Sequence, residues 1–249
     1  MAPDVRGVIT HPEGASVAVL LVHGFCAAPD EVATLSEYLA ERNIASFAVE
    51  IVGHAGSSVN IKKTSWNDWY SSVKQGFDLV RSWGLKHTLV AGISMGGAAS
   101  ALLTSQETGI DGLILIAPAL RIGGILPRLV PVLKYLMKDR EIDVELTQQI
   151  YDVKRTKCRR EPLSAYHELF KFQKQARKSL PKITIPTLIV QGTEDKTIDP
   201  NNGQFAFDHL SSEDKEIHMI EGGEHVITCH PTRRIAFPII EEFIKRITR

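Results

Sequence analysis

Cysteine is scarce. Cys26, Cys158 and Cys229 are the only three among 249 residues, and no two of them form a Cys-x-x-Cys pair. So sparse and odd a set excludes a disulfide scaffold. A surplus of either charge is missing as well, since 29 basic residues face 29 acidic ones. Without a global field, nothing marks the partner as nucleic acid or an anionic membrane. Long apolar runs are absent too. The longest, such as residues 17–22, fall far short of the roughly 20 residues that cross a bilayer, so stable membrane insertion is not expected. The start, Met1-Ala2-Pro3-Asp4-Val5-Arg6, has no apolar stretch behind a basic end. The expectation is therefore a cytoplasmic protein without a secretory leader, monomeric or dimeric. The nine histidines are scattered, without His-Glu-x-x-His spacing. No Gly-x-Gly-x-x-Gly follows a strand-like run. Neither a metal nor a dinucleotide cofactor is expected.

What is present is alternation. Apolar runs at 16–22, 45–52, 88–91, 112–116 and 187–190 read as strands buried on both faces. Between them lie helical periodicities at 29–42, 66–80, 98–103, 201–210 and 231–247, with Ser65 as the N-cap of the second. Residues 6–10 read as an edge strand and 216–220 as a last strand. Strands alternating with helices predict a single α/β domain over 1–249: a mostly parallel sheet with helices on both faces. The rhythm breaks at 120–182, which contains no strand-like run. Leu126, Leu129, Val130 and Leu133 suggest an apolar helix there, and 164–179 suggests another. This insertion reads as a small helical cap. Its basic run, Lys154, Arg155, Lys157, Arg159 and Arg160, reads as a solvated face that could also touch substrate or a partner.

The chemistry gathers at strand ends, where open α/β sheets bind their ligands. Gly92-Ile93-Ser94-Met95-Gly96-Gly97 follows a buried strand and opens a helix. A serine at the tip of so sharp a turn presents its hydroxyl beside a helix N-terminus, which favours developing negative charge. Serine is a poor nucleophile without a base, and the base needs a carboxylate to fix its tautomer. His225, in the loop Glu221-Gly222-Gly223-Glu224-His225, supplies the base on what reads as an exposed ring. Asp195 supplies the acid. Asp199 is its rival, but lies further from the strand end and just before Pro200. Glu194 and Glu224 read as solvent-facing. The oxyanion would be met by the backbone N–H of Met95, next to the nucleophile, and by that of Phe25 in the turn His23-Gly24-Phe25. His23 then braces that turn, and Cys26 lines the acyl pocket or is buried.

These residues, with Pro29, Gly53-His54-Ala55-Gly56, Gln191-Gly192 and Val226-Ile227, resemble the α/β-hydrolase superfamily. Within it the chain is similar to the bacterial and archaeal carboxylesterase and monoacylglycerol lipase group. The usual Gly-His-Gly loop is departed from here, where Ala55 separates His54 from Gly56. The resemblance implies a Ser94 nucleophile, an Asp195–His225 pair and a helical cap over an acyl pocket. Leu126, Leu129, Val130 and Leu133 of the cap are candidates to line that pocket, or equally to form the cap's own core. The expected function is hydrolysis of short- to medium-chain acyl esters, monoacylglycerols included, through an acyl-enzyme. The same triad serves thioesterases, feruloyl-type esterases, acyltransferases and C–C bond hydrolases, and fold analogy does not choose among them. A non-catalytic binding member would be expected to have lost a triad residue.

Overall fold

A computed structural model describes residues 5–55, 57, 59–121 and 139–249. Leu126, Leu129, Val130 and Leu133 lie outside the described residues. In chain order the elements are β1 (Gly7–Thr10), β2 (Val17–Val22), α1 (Ala33–Ala40, entered through a 3₁₀ turn at Pro29–Val32) and β3 (Ala45–Val49). Then come α2 (Trp66–Ser82), β4 (His87–Ile93), α3 (Met95–Thr104) and β5 (Gly112–Ile116). Between β5 and β8 lie β6 (Arg140–Glu141), α4 (Val144–Gln148), β7 (Arg160–Glu161) and α5 (Leu163–Ser179). The chain closes with β8 (Thr187–Gly192), α6 (Asn201–His209), β9 (Lys215–Ile220) and α7 (Arg233–Ile247).

Seven strands form one sheet in the order β1-β3-β2-β4-β5-β8-β9. All neighbours pair in parallel except β1, which runs antiparallel to β3 at the edge. The central strands β2, β3, β5 and β8 are buried at every residue, as their unbroken apolar sequences demand. Alternate side chains serve two cores. Ala18, Leu20 and Val22 of β2 face a core completed by α2, α3 and α5. Val17, Val19 and Leu21 face one completed by α1 and α7. The aromatic stripe of α2 is core packing, with Trp69 and Val73 fully buried. At its start the Asp68 carboxylate accepts the Ser65 N–H at 2.8 Å, as the capping position predicts.

Two expectations are corrected. Residues 120–182 do contain strand, a two-residue antiparallel pair of β6 and β7. It is too short to leave an alternating signature in the sequence. The basic run 154–160 is not wholly a solvated face. The Arg155 side chain is 8% exposed and that of Lys157 20%, because both turn inward onto carboxylates. Among the described residues no helix is long and apolar enough to cross a membrane.

Candidate active site

Ser94 sits between β4 and α3 with φ 57° and ψ −120°, a conformation that non-glycine residues rarely adopt. Its N–H donates to the Ile116 carbonyl at 2.9 Å, and its carbonyl accepts from Ala119 at 3.0 Å. These bonds to the end of β5 hold the strained turn. The tightness of that turn explains its glycines. A Cβ on Gly96 would lie 2.1 Å from the Val22 carbonyl oxygen, and one on Gly92 would lie 2.2 Å from that of Gly96. α3 begins at Met95, so the Met95 N–H is among those with no acceptor within the helix.

The loops after β8 and β9 meet at Ser94. His225 Nε2 is 2.9 Å from Ser94 Oγ, and His225 Nδ1 is 2.7 Å from Asp195 Oδ2. Asp195 is held on every side. Oδ1 accepts the N–H groups of Thr197 and Ile198, both at 2.9 Å, and Oδ2 also accepts Gln191 Nε2 at 3.1 Å. Burial works against the charge of Asp195. The hydrogen bond and charge of His225 and the two backbone donors outweigh it, holding the carboxyl below its ordinary range. An ionised Asp195 accepts a hydrogen bond from Nδ1–H, which leaves Nε2 as the acceptor facing the serine hydroxyl. Asp199 is not part of this chain. It is exposed and accepts the Asn201 N–H at 2.9 Å at the start of α6.

Two expectations here are also corrected. The His225 ring is buried rather than exposed, because the loops carrying Asp195 and His225 close on each other. Glu224 is buried as well, where it accepts Lys196 Nζ at 2.7 Å.

The turn after β2 lies directly over the elbow: a Cβ on Gly24 would be 3.2 Å from Ser94 Cβ. His23 braces this turn. Nδ1 is 2.9 Å from the Gly24 carbonyl, and Nε2 accepts the Ile51 N–H at 3.2 Å. Burial lowers the pKa of His23, so the ring stays neutral with its proton on Nδ1. The Gly24 carbonyl also accepts the Ala27 N–H at 3.3 Å. Because the peptide is trans, fixing that carbonyl fixes the Phe25 N–H on the opposite edge. The Gly24 N–H donates to Glu31 Oε2 at 2.7 Å. His54, whose pKa burial pushes far down, packs its ring 5.7 Å from that of Phe25 and 5.0 Å from that of Trp69.

Ser94 and His225 open onto a cavity of about 400 Å³. Phe25, Met95, Leu169, Ile198 and Val226 give it apolar wall, while Lys157, Glu161 and Tyr166 bring polar groups to it. That volume falls within the roughly 300–1,000 Å³ of small-molecule sites. Cys26, a sequence candidate for the pocket, lies behind this wall. It is fully buried, and its carbonyl accepts the Cys158 N–H at 2.9 Å. The sequence did not single out Glu31, Glu161 or Tyr166. They carry no motif: Glu31 is matched by the distant Arg155 and Tyr166 packs on the distant Phe25, while Glu161 joins the site through its near neighbours Lys157 and Tyr166. No group of three or more metal-ligating side chains occurs among the described residues.

A strained serine between strand and helix, on a mostly parallel sheet flanked by helices, defines an α/β-hydrolase. A family model described as serine aminopeptidase, S33 matches residues 14–231, and the chain belongs to that family. It is 28% identical over 227 residues to a thermostable monoacylglycerol lipase from Bacillus sp. (strain H-257), covering 88% of this chain and 86% of that protein. It is 25% identical over 235 residues to a carboxylesterase from Bacillus subtilis (strain 168), covering 94% and 95%. A solved structure described with LipS and LipT, two metagenome-derived lipolytic enzymes, superposes with a TM-score of 0.87 at 21% identity, covering 96% and 97%. The chain is thus an enzyme of the hydrolase class.

Proposed function

We propose that this enzyme hydrolyses carboxylic esters of short to medium acyl chains, monoacylglycerols included, through an acyl-enzyme on Ser94. The observation that carries the reading is the continuous chain Ser94–His225–Asp195 at the floor of a largely apolar cavity. Two relatives named monoacylglycerol lipase and carboxylesterase support the substrate class. Ser94 Oγ attacks the ester carbonyl as His225 Nε2 takes the hydroxyl proton. Asp195 stabilises the resulting imidazolium. The oxyanion forms against the N–H groups of Met95 and Phe25, where the N-terminal end of α3 adds its dipole. His225 then returns the proton to the departing alcohol. A water, deprotonated by the same ring, releases the acid. The described part of the expected cap, from 139 onward, walls the cavity, which supports a capped acyl pocket.

Hydrolysis of p-nitrophenyl esters from acetate through palmitate tests this, with wild type and Ser94→Ala side by side. Turnover is expected to peak at short or medium chains and to fall by up to about 10⁶-fold in Ser94→Ala. His225→Ala should be comparably inactive. A folded protein that cleaves thioesters but no ester would move the assignment to a thioesterase.

A further inference from the structure

Lys157 belongs to the basic run between β5 and β8, yet its ammonium lies inside the site. Nζ donates to the Phe25 carbonyl at 2.9 Å and pairs with Glu161 Oε1, also at 2.9 Å. Glu161 is buried, and its other oxygen accepts the Tyr166 hydroxyl. The Tyr166 ring in turn packs 5.2 Å from the Phe25 ring. Backbone pairing sets this arrangement. Ala27 and Lys157 form an antiparallel bridge beside the Cys158–Cys26 hydrogen bond. A lysine so placed is costly unless it is matched, and Glu161 matches it.

The Phe25 peptides are therefore fixed from two sides. Toward the N-terminus, His23 and Ala27 hold the Gly24 carbonyl and so orient the Phe25 N–H. Toward the C-terminus, Lys157 holds the Phe25 carbonyl. The rotations about Phe25 Cα are the freedom left between these two peptides, and the lysine removes it. We propose that Lys157, held by Glu161, is a positioning residue for the oxyanion hole: it keeps the Phe25 N–H aimed at the developing negative charge. The inference rests on the assignment of Phe25 as an oxyanion donor. A displacement of an ångström or less at such a donor is enough to cost catalysis heavily. Because Glu161 neutralises the ammonium, the effect acts through orientation rather than through long-range charge.

The test compares wild type with Lys157→Met, Lys157→Arg and Ser94→Ala on p-nitrophenyl butyrate. Inhibition by a phenylboronic acid, whose tetrahedral adduct on Ser94 Oγ places an oxygen in the oxyanion hole, is measured alongside. Lys157→Met should lower kcat by about 10- to 100-fold, with KM changed by less than about threefold. Boronic acid affinity should fall by a similar factor, and Lys157→Arg should restore most of both. Unchanged kcat and boronic acid affinity would overturn the proposal. A rise in KM alone would do so too, making Lys157 a substrate-binding group. If Lys157→Met does not fold, Glu161→Gln and Tyr166→Phe loosen the same ammonium and should lower kcat and boronic acid affinity together. No effect in either would overturn it equally. Ser94→Ala separates the two levels: wild-type turnover that survives this change sinks the serine mechanism itself, whatever Lys157 does.

Discussion

At the scale of residues, the site turns on which carboxylate serves His225. Asp195 makes the 2.7 Å bond to the ring, whereas Asp199 is exposed at the start of α6. Asp195→Asn should therefore lower kcat by up to about 10⁴-fold, because an amide presents an N–H where the imidazole needs an acceptor. Asp199→Asn, which keeps an oxygen for the Asn201 N–H, should stay close to wild type. Kinetics of the two variants on one ester check this, and the reverse order would reassign the acid. Gly96 offers a stability counterpart. A Cβ there would strike backbone, the Val22 carbonyl oxygen, which has no side chain's freedom to swing away. Gly96→Ala should cost about 2–4 kcal/mol or prevent folding, as measured by chemical denaturation. The meeting of Ser94, Asp195 and His225 was legible in the sequence because each follows a strand, and the sheet gathers strand ends on one edge. Glu31, Lys157 and Glu161 were not. A charged residue reads as surface until its surroundings are known: Glu31 pairs with Arg155 far along the chain, and Lys157, although its carboxylate Glu161 is only four residues away, reaches back to Phe25.

At the scale of elements, strands buried on both faces were the most legible, since unbroken apolar runs such as Val17–Val22 have no other economical placement. Helix edges were less so. The helix expected over 29–42 divides into a 3₁₀ turn and α1, and α7 continues through Pro238, which gives no warning in a periodicity. How helices are joined across the surface was not legible at all. Glu241 of α7 accepts Tyr38 Oη at 2.7 Å and Arg42 Nε at 2.5 Å from the far end of α1, together with Lys245 Nζ at 2.5 Å from its own helix. The bonds from Lys245 and Tyr38 push the Glu241 carboxyl down to about 2, against burial and with help from Arg42. A carboxyl with a lowered folded-state pKa contributes stability that is complete above its ordinary value of 4.5 and is lost as pH falls towards 2. Glu241→Gln should thus lower stability at neutral pH by about 1 kcal/mol, the upper range for a partly exposed network. For a chain of this size that corresponds to a Tm lower by about 2–4 °C. The gap to wild type should close as the pH of the melt is lowered from 5 towards 2. A gap that is independent of pH would mean the carboxylate's charge is not what joins the helices.

At the scale of the whole molecule, one residue connects the turn over Ser94, the histidine loop and the segment between β5 and β8. Glu31 lies in the 3₁₀ turn before α1. Its Oε2 holds the Gly24 N–H of the turn over Ser94, at 2.7 Å. Its Oε1 receives Arg155 Nη1 at 3.0 Å from the segment between β5 and β8. Its backbone carbonyl accepts the Thr228 hydroxyl at 2.5 Å, just past His225. Turn, histidine loop and candidate cap therefore share a single buried anchor. The Glu31–Arg155 pair is nearly closed to solvent, with side chains 4% and 8% exposed. Such a pair need not add net stability, because both ions were stripped of water, but removing one partner strands the other. Arg155→Met should cost about 3–5 kcal/mol and lower kcat as well, since an unpaired carboxylate will draw in water and loosen the Gly24 turn. Adding Glu31→Gln removes the stranded charge while keeping an oxygen for the Gly24 N–H. The double variant should therefore recover more than about 1 kcal/mol over Arg155→Met, a coupling expected only of groups in contact. Denaturation of the two single variants and the double one measures that coupling. Strict additivity would show that the Glu31–Arg155 pair is not what joins the candidate cap to the turn over Ser94. Recovery of stability without recovery of kcat would separate two roles of Glu31, folding through its charge and catalysis through the geometry it imposes on Gly24.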